Sequence, residues 1–448
     1  MPSTRRRFLA GAAGAGAAAL ASPARAADVP TLTWSRTYAP TDDGERALVR
    51  DVVPAGDGFA LVGLAGDHRY RGWVGGVDAA GRPEWHRLLG AERTALLAGV
   101  PATDDADDVV AAGVTNQSRD LSEPDHPDPY VARVEPGGEV ASERTYQPDV
   151  PRGRANAVVG TGDGYVLTGD AATDGVPRPW AVGLDASGTA RWEWTDETER
   201  AGDANGAVAV DGGVVVAGST WPRGAESPSP RGRLEAAWAA KVTRDGETAW
   251  RWSVDREGGD RVEALAPAPD GDVVAVGRRG FSTDDEGVGW LVALDDGGEP
   301  RWERTYPQAA WNWHRDVAAV GDGYVLAGTR EERPGAERRG AWLLRVDAEG
   351  RTVWDYQAES GTCGFAVRAL PDGGLLVAGD GRVEAGDGEG AWLSKAGGDP
   401  APSAPSGDGL GLPALPPWTE PFLAGGAVGV LGAGAAAYLR RKWTTDNG

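Results

Sequence analysis

Short apolar runs that end in glycine recur along most of the chain. Gly63, Gly113, Gly169, Gly218, Gly277, Gly328 and Gly379 follow one another at nearly even spacing. Such a period marks an internal repeat. Within one unit, apolar runs at 315–320 and 324–327 flank the turn signal Gly321-Asp322-Gly323, and further runs at 341–346 and 352–356 flank a second turn at 347–350. That pattern predicts four short strands per repeat. The middle strands, such as 273–276 and 290–294, are apolar at consecutive positions, so both faces of each sheet need cover from neighbouring repeats. The last strand is more polar, as in 301–306, which suits an outer edge blunted by charge. Together these features predict an all-β, seven-bladed β-propeller of four-stranded antiparallel blades.

Spacing sharpens the picture. In five repeats the tryptophan of the third strand precedes that of the fourth by one fixed interval: Trp73 and Trp85, Trp180 and Trp192, Trp238 and Trp250, Trp290 and Trp302, Trp342 and Trp354. The second repeat keeps the interval with Tyr130 and Ser142. The distance from the repeat glycine to the third-strand aromatic, by contrast, doubles between Gly63–Trp73 and Gly218–Trp238, so the loop between the second and third strands absorbs the insertions. In the seventh repeat Trp392 has no partner strand, because the position at the same interval, Ala404, lies in Pro-rich sequence. The N-terminal segment Thr33-Trp34-Ser35-Arg36-Thr37-Tyr38 copies the pattern of 301–306, which predicts that residues 31–38 complete the last blade and close the ring.

Composition adds a setting. The 448 residues carry a net charge of -22, spread over every repeat, and the only lysines are Lys241, Lys395 and Lys442. That surface repels nucleic acid, and excess carboxylate with scarce lysine is the pattern of proteins adapted to molar salt. Cys363 is the single cysteine, which excludes an intrachain disulfide and a cysteine-based metal cluster.

Both ends carry targeting features. Arg5 and Arg6 open a basic, then Ala/Gly-rich stretch ending in Ala24-Arg25-Ala26, and this resembles a twin-arginine export signal over residues 1–26. The propeller is expected over 27–396 and a Pro/Gly/Ser-rich linker over 397–420. A transmembrane helix is expected over 421–440, its core at 422–439 free of charge, and a cytoplasmic tail over 441–448. The basic trio Arg440-Arg441-Lys442 orients the tail inward, which places the propeller outside the cell membrane.

The unit Trp290-Leu-Val-Ala-Leu-Asp295-Asp-Gly-Gly298-Glu-Pro-Arg-Trp302 resembles the seven-bladed propeller repeats of many secreted bacterial and archaeal proteins. It is also similar to the tryptophan-docking repeats of quinoprotein dehydrogenases. The second resemblance implies eight blades, a quinone held with Ca²⁺ and often a vicinal disulfide. Seven repeats and one cysteine depart from that, and the acidic run Asp104-Asp-Ala-Asp-Asp108 lacks the order of a calcium loop. No cofactor and no metal are therefore expected.

Alternating strands put the loops between second and third strands on the same face, here the top face, as the links that enter each blade. The longest insertions, at 115–128 and 221–233, lie there, and variable loops on a rigid ring are a usual place for recognition. The links carry Arg46, Arg93, Arg154, Arg261 and Arg315, so a ring of arginines at the channel mouth could bind an anion such as a carboxylate or an acidic sugar. The competing expectation is that each pairs with a neighbour such as Glu45, Glu92, Asp260 or Asp316. Trp311, Trp313 and His314 precede the first strand of the sixth blade, where exposed tryptophans could stack on a sugar or anchor a partner. Asn116-Gln-Ser118 is an N-glycosylation sequon. The sequence thus reads as a binding or scaffolding module for a protein partner or glycan at the cell surface. The alternative is an extracytoplasmic enzyme or cofactor carrier with a site in the central channel.

Overall fold

The computed structural model describes residues 29–398 apart from 39–46, 67–68, 104, 106, 117–126, 147–152, 174, 224–234, 257, 281–286, 308–310, 332–338, 359–360 and 383–388. At 173, 270, 311, 339, 361, 362, 382 and 389 only the backbone is described. The export signal with Arg5 and Arg6, the expected transmembrane segment and Arg46 lie outside the described residues.

Seven four-stranded antiparallel sheets form a ring. The inner strands are Ala47–Ala55, Ala95–Pro101, Gly153–Gly160, Ala201–Val210, Asp260–Pro267, Trp311–Val320 and Gly361–Ala369, and each contacts the inner strand of the next blade. The second strand of blade one, Gly58–Ala65, is buried at seven successive positions, as stacking of blade on blade requires. The N-terminal strand Leu32–Tyr38 pairs with Glu389–Ala396 and supplies the outer strand of blade seven. Trp392 Nε1 donates to Ser35 Oγ at 2.8 Å across this closure.

The repeat glycines have a steric cause. Every inner strand carries a β-bulge at the same height, between Val49 and Asp51 in blade one and between His314 and Asp316 in blade six, for example. The bulge pushes a carbonyl oxygen of the inner strand against the second strand. A Cβ at Gly63, Gly113, Gly169, Gly218, Gly277, Gly328 or Gly379 would lie only 1.8 to 2.1 Å from that oxygen. The same glycines sit directly opposite the third-strand aromatics, as Gly277 does opposite Trp290, and leave them room.

The fixed interval between the third- and fourth-strand tryptophans has a cause as well. Asp78, Asp295 and Asp347 open the turn between third and fourth strands, and each Oδ1 accepts the backbone N–H groups two and four residues on. The turn ends in a glycine at positive φ, on which the fourth-strand tryptophan of the preceding blade rests. Trp34 packs on Gly81, Trp85 on Gly138, Trp192 on Gly246, Trp250 on Gly298 and Trp302 on Gly350. Lengthening this hairpin would lift the turn off the indole, so length variation falls elsewhere.

One boundary differs from the expectation. Arg154, Arg261, Arg315, Trp313, His314 and Cys363 lie inside inner strands rather than in the links before them. The bulge shifts the in-out alternation by one residue, so each strand looks shorter in sequence than it is.

Candidate functional site

The extra residue at each bulge is Arg50, Leu97, Asn156, Asn205, Glu263, Arg315 or Phe365, one per blade around the channel. Where it is asparagine it ties blades together: Asn156 Nδ2 donates to the Ala204 carbonyl at 3.0 Å, and Asn205 Nδ2 to that of Val262 at 2.9 Å. From blade five to blade one the position carries charge and aromatic rings instead.

There a stack of guanidinium groups and rings runs across four blades. Arg278 lies 4.8 Å from the centre of the Trp313 ring and Arg315 lies 3.7 Å from it. Arg315 in turn is 4.8 Å from the Phe365 ring, which Arg50 approaches to 4.4 Å. Cation–π attraction holds such a column, and it strengthens as water is excluded. Arg278 pairs with Glu235 at 3.1 Å, and Arg50 lies 3.9 Å from Asp380. Arg315 has no carboxylate within ion-pair distance among the described residues. It is only 7% exposed, and its Nε and Nη2 lack hydrogen-bond partners there. Burial pushes its pKa down to about 10, with Arg50 and Arg278 adding to the effect and Glu263 opposing it, so it stays charged near neutrality.

Next to this column the charges are balanced. Arg261 meets Asp203 at 3.3 Å, Glu235 at 3.4 Å and Glu263 at 2.8 Å. Burial works against its charge, but the three carboxylates outweigh it and raise its pKa. Lower in the channel Arg368 of blade seven bridges Asp51 of blade one and Asp316 of blade six. Each aspartate also accepts a backbone N–H from the next blade, Gly99 and Val367 respectively, both at 2.9 Å.

The four described arginines therefore do not share one height. Arg315 occupies the bulge, Arg154 and Arg261 stand two residues before theirs, and Arg93 stands four before, in a link at φ 65. Arg154 lies opposite Asp170 in the sheet, and burial lifts that carboxyl to about 6 against the pull of Arg154. Asp260 pairs with Arg256, Glu92 with Arg69 and Asp316 with Arg368.

Trp313 is 7% exposed and belongs to the stack; it is not a free surface ring. His314 is fully buried in the seam between blades five and six, stacked on Trp342 at 4.5 Å and edge-on to Tyr306 at 5.6 Å. Burial lowers its pKa to about 3, so the imidazole is neutral. Only the backbone of Trp311 is described. Asn116 is exposed at φ 56, and its amide donates to Asp128 Oδ2 at 2.7 Å.

Arg50, Arg278 and Phe365 are the site residues that sequence reading missed. A signal existed, since Arg50 and Arg315 stand at the same distance before their repeat glycines, Gly63 and Gly328. Counting back that distance from the glycine finds the bulge in blades one, three, four and six.

No protein-family model and no curated protein matches the chain. Solved propeller structures do. Sqt1 of Chaetomium thermophilum is 12% identical over 82% of this chain and 98% of its own, with a TM-score of 0.47. The polysaccharide lyase Uly1 is 10% identical over 78% of this chain and 89% of its own, with a TM-score of 0.49. The propeller domain of the trilobed protease from Pyrococcus furiosus is 8% identical over 75% and 91%, with a TM-score of 0.42.

Proposed function

We propose that the protein is an exported, membrane-tethered propeller whose top face binds a carboxylate-bearing partner, an acidic glycan or an acidic segment of a protein, at the channel mouth. The observation that carries this reading is Arg315. Its guanidinium carbon lies over the Trp313 ring at 3.7 Å and over the Phe365 ring at 4.8 Å, while Nε and Nη2 on the N–H edge, the part that pairs with a carboxylate, have no partner among the described residues. A buried cation with unpaired nitrogens is costly, and an anion would relieve that cost. In a protein of net charge -22 an arginine without a carboxylate partner is unusual, and its neighbours Arg50 and Arg278 are matched by Asp380 and Glu235.

The geometry favours binding over catalysis. Glu235, Glu263 and Asp203 surround Arg261, and His314 packs away from the axis against Trp342 and Tyr306. The test is calorimetric titration at fixed high ionic strength with oligogalacturonate, a glutamate-rich peptide and their neutral counterparts. Wild type is expected to bind one acidic ligand and Arg315→Met to lose at least tenfold in affinity. Equal affinity in the two proteins would place recognition elsewhere.

A further inference from the structure

The docking pattern has one gap. Five fourth-strand tryptophans rest on a turn glycine of the following blade, where a Cβ would come within 2.6 to 3.1 Å of the ring. Blade two carries Ser142 in that place, opposite Arg133, and the facing turn glycine of blade three, Gly188, meets no indole. The rest of the docking apparatus is intact. Tyr146 donates its hydroxyl to the Gly188 carbonyl at 2.6 Å, just as Tyr38 does to Gly81 and Tyr306 to Gly350 in notches that hold a tryptophan. Gly188 keeps the positive φ of the other turn glycines, at 79.

A cleft opens at this point, walled by Val131, Leu167 and Leu184, with Ser142 and Arg144 at its side. In the corresponding cleft between blades three and four the wall includes Trp192. A long cation opposite the docking position does not exclude an indole, since Lys241 stands opposite Trp250 and Arg345 opposite Trp354. Arg144 reaches toward the Gly188 carbonyl; its counterpart Arg304 lies 5.7 Å from the Trp302 ring centre.

The geometry points to a vacant tryptophan-docking notch between blades two and three that takes an indole side chain from a partner polypeptide. Two features favour a polypeptide as its source. The strand beside the notch, Val140–Thr145, is exposed at all six positions and forms the outer edge of its sheet, where an extended segment can lie. Arg144 stands at the cleft and suits an acidic residue flanking the tryptophan, whereas Arg133 is held by Asp108 at 2.6 Å. This site is separate from Arg315 and does not depend on anion binding there.

The experiment uses N-acetyl-5-fluorotryptophanamide as a ¹⁹F NMR probe with the full chain in molar salt. Wild type broadens the probe resonance, an excess of a short acidic tryptophan peptide reverses the broadening, and the same peptide with alanine in place of tryptophan does not. Ser142→Trp fills the notch from within, so it abolishes the broadening and raises the melting temperature by about 2 °C or more. Ser142→Phe serves if the first variant does not fold. No broadening with wild type, or broadening that persists in the filled variant, overturns the proposal.

Discussion

The outer rim of the ring and the wall of its channel are built from the same repeat, yet they vary in opposite ways. At the rim the turn glycine and the docked tryptophan recur over the six turns between third and fourth strands, with Ser142 as the exception, while blade seven, closed by the N-terminal strand, has no such turn. At the channel the bulge recurs in every blade, but the residue on it is arginine, leucine, asparagine, glutamate or phenylalanine. Blades need matching joints to close a ring, whereas the bulge side chain can bond to the next blade, as Asn156 and Asn205 do, or carry charge or a ring instead. Repetition at the rim therefore reports on assembly. Variation at the channel is where a ligand can be specified.

The largest effect is expected at the closure of the ring. Deleting residues 31–38 leaves blade seven with three strands and an open edge, so the melting temperature should fall by about 10 °C or more, or cooperative unfolding should be lost. An unchanged melting curve in high salt would contradict the closure. Trp302→Ala empties one rim joint and should cost about 3–5 kcal/mol in denaturant unfolding. Gly277→Ala places a methyl group 1.9 Å from the Arg261 carbonyl and should cost on the order of 2–3 kcal/mol. At the channel the sign changes: Arg315→Met removes a buried, unpaired cation between two rings and should leave stability unchanged or raise it by about 1 kcal/mol. A large loss in that variant would make the stack a structural joint like those at the rim.

The smallest expected effect concerns acid. His314 takes up its proton near pH 3 in the folded protein but near 6.5 when unfolded, so between those values the unfolded chain binds more protons. Its contribution to stability therefore falls as the pH drops below 6.5. His314→Phe keeps a ring against Trp342 and cannot be protonated, so the difference in melting temperature between variant and wild type should grow from pH 7 toward pH 4. Asp51 and Asp170, both lifted by burial to about 6, act in the opposite direction in wild type and variant alike, so the difference isolates the histidine.

The rim was legible in sequence because its joints are local. A glycine, a turn and a tryptophan fall at fixed spacing, and the copied pattern at 33–38 exposed the closing strand. The channel was not, because a bulge breaks the alternation within each inner strand, so the residues before it fall out of register with the apolar run that marks the strand. Arg46, Arg93, Arg154, Arg261 and Arg315 look equivalent when placed by their distance from apolar runs. Placed by the bulges, Arg315 aligns instead with Arg50 and Phe365. Arg278 comes to the stack from a second strand, which no single-strand pattern reveals.

If Arg315 marks an anion site, crystals grown in sodium bromide should reveal it by anomalous diffraction. A bromide peak is expected within hydrogen-bonding reach of Arg315 Nε or Nη2, present in wild type and lost in Arg315→Met. Ordered bromide elsewhere on the protein, with none at Arg315, would contradict it.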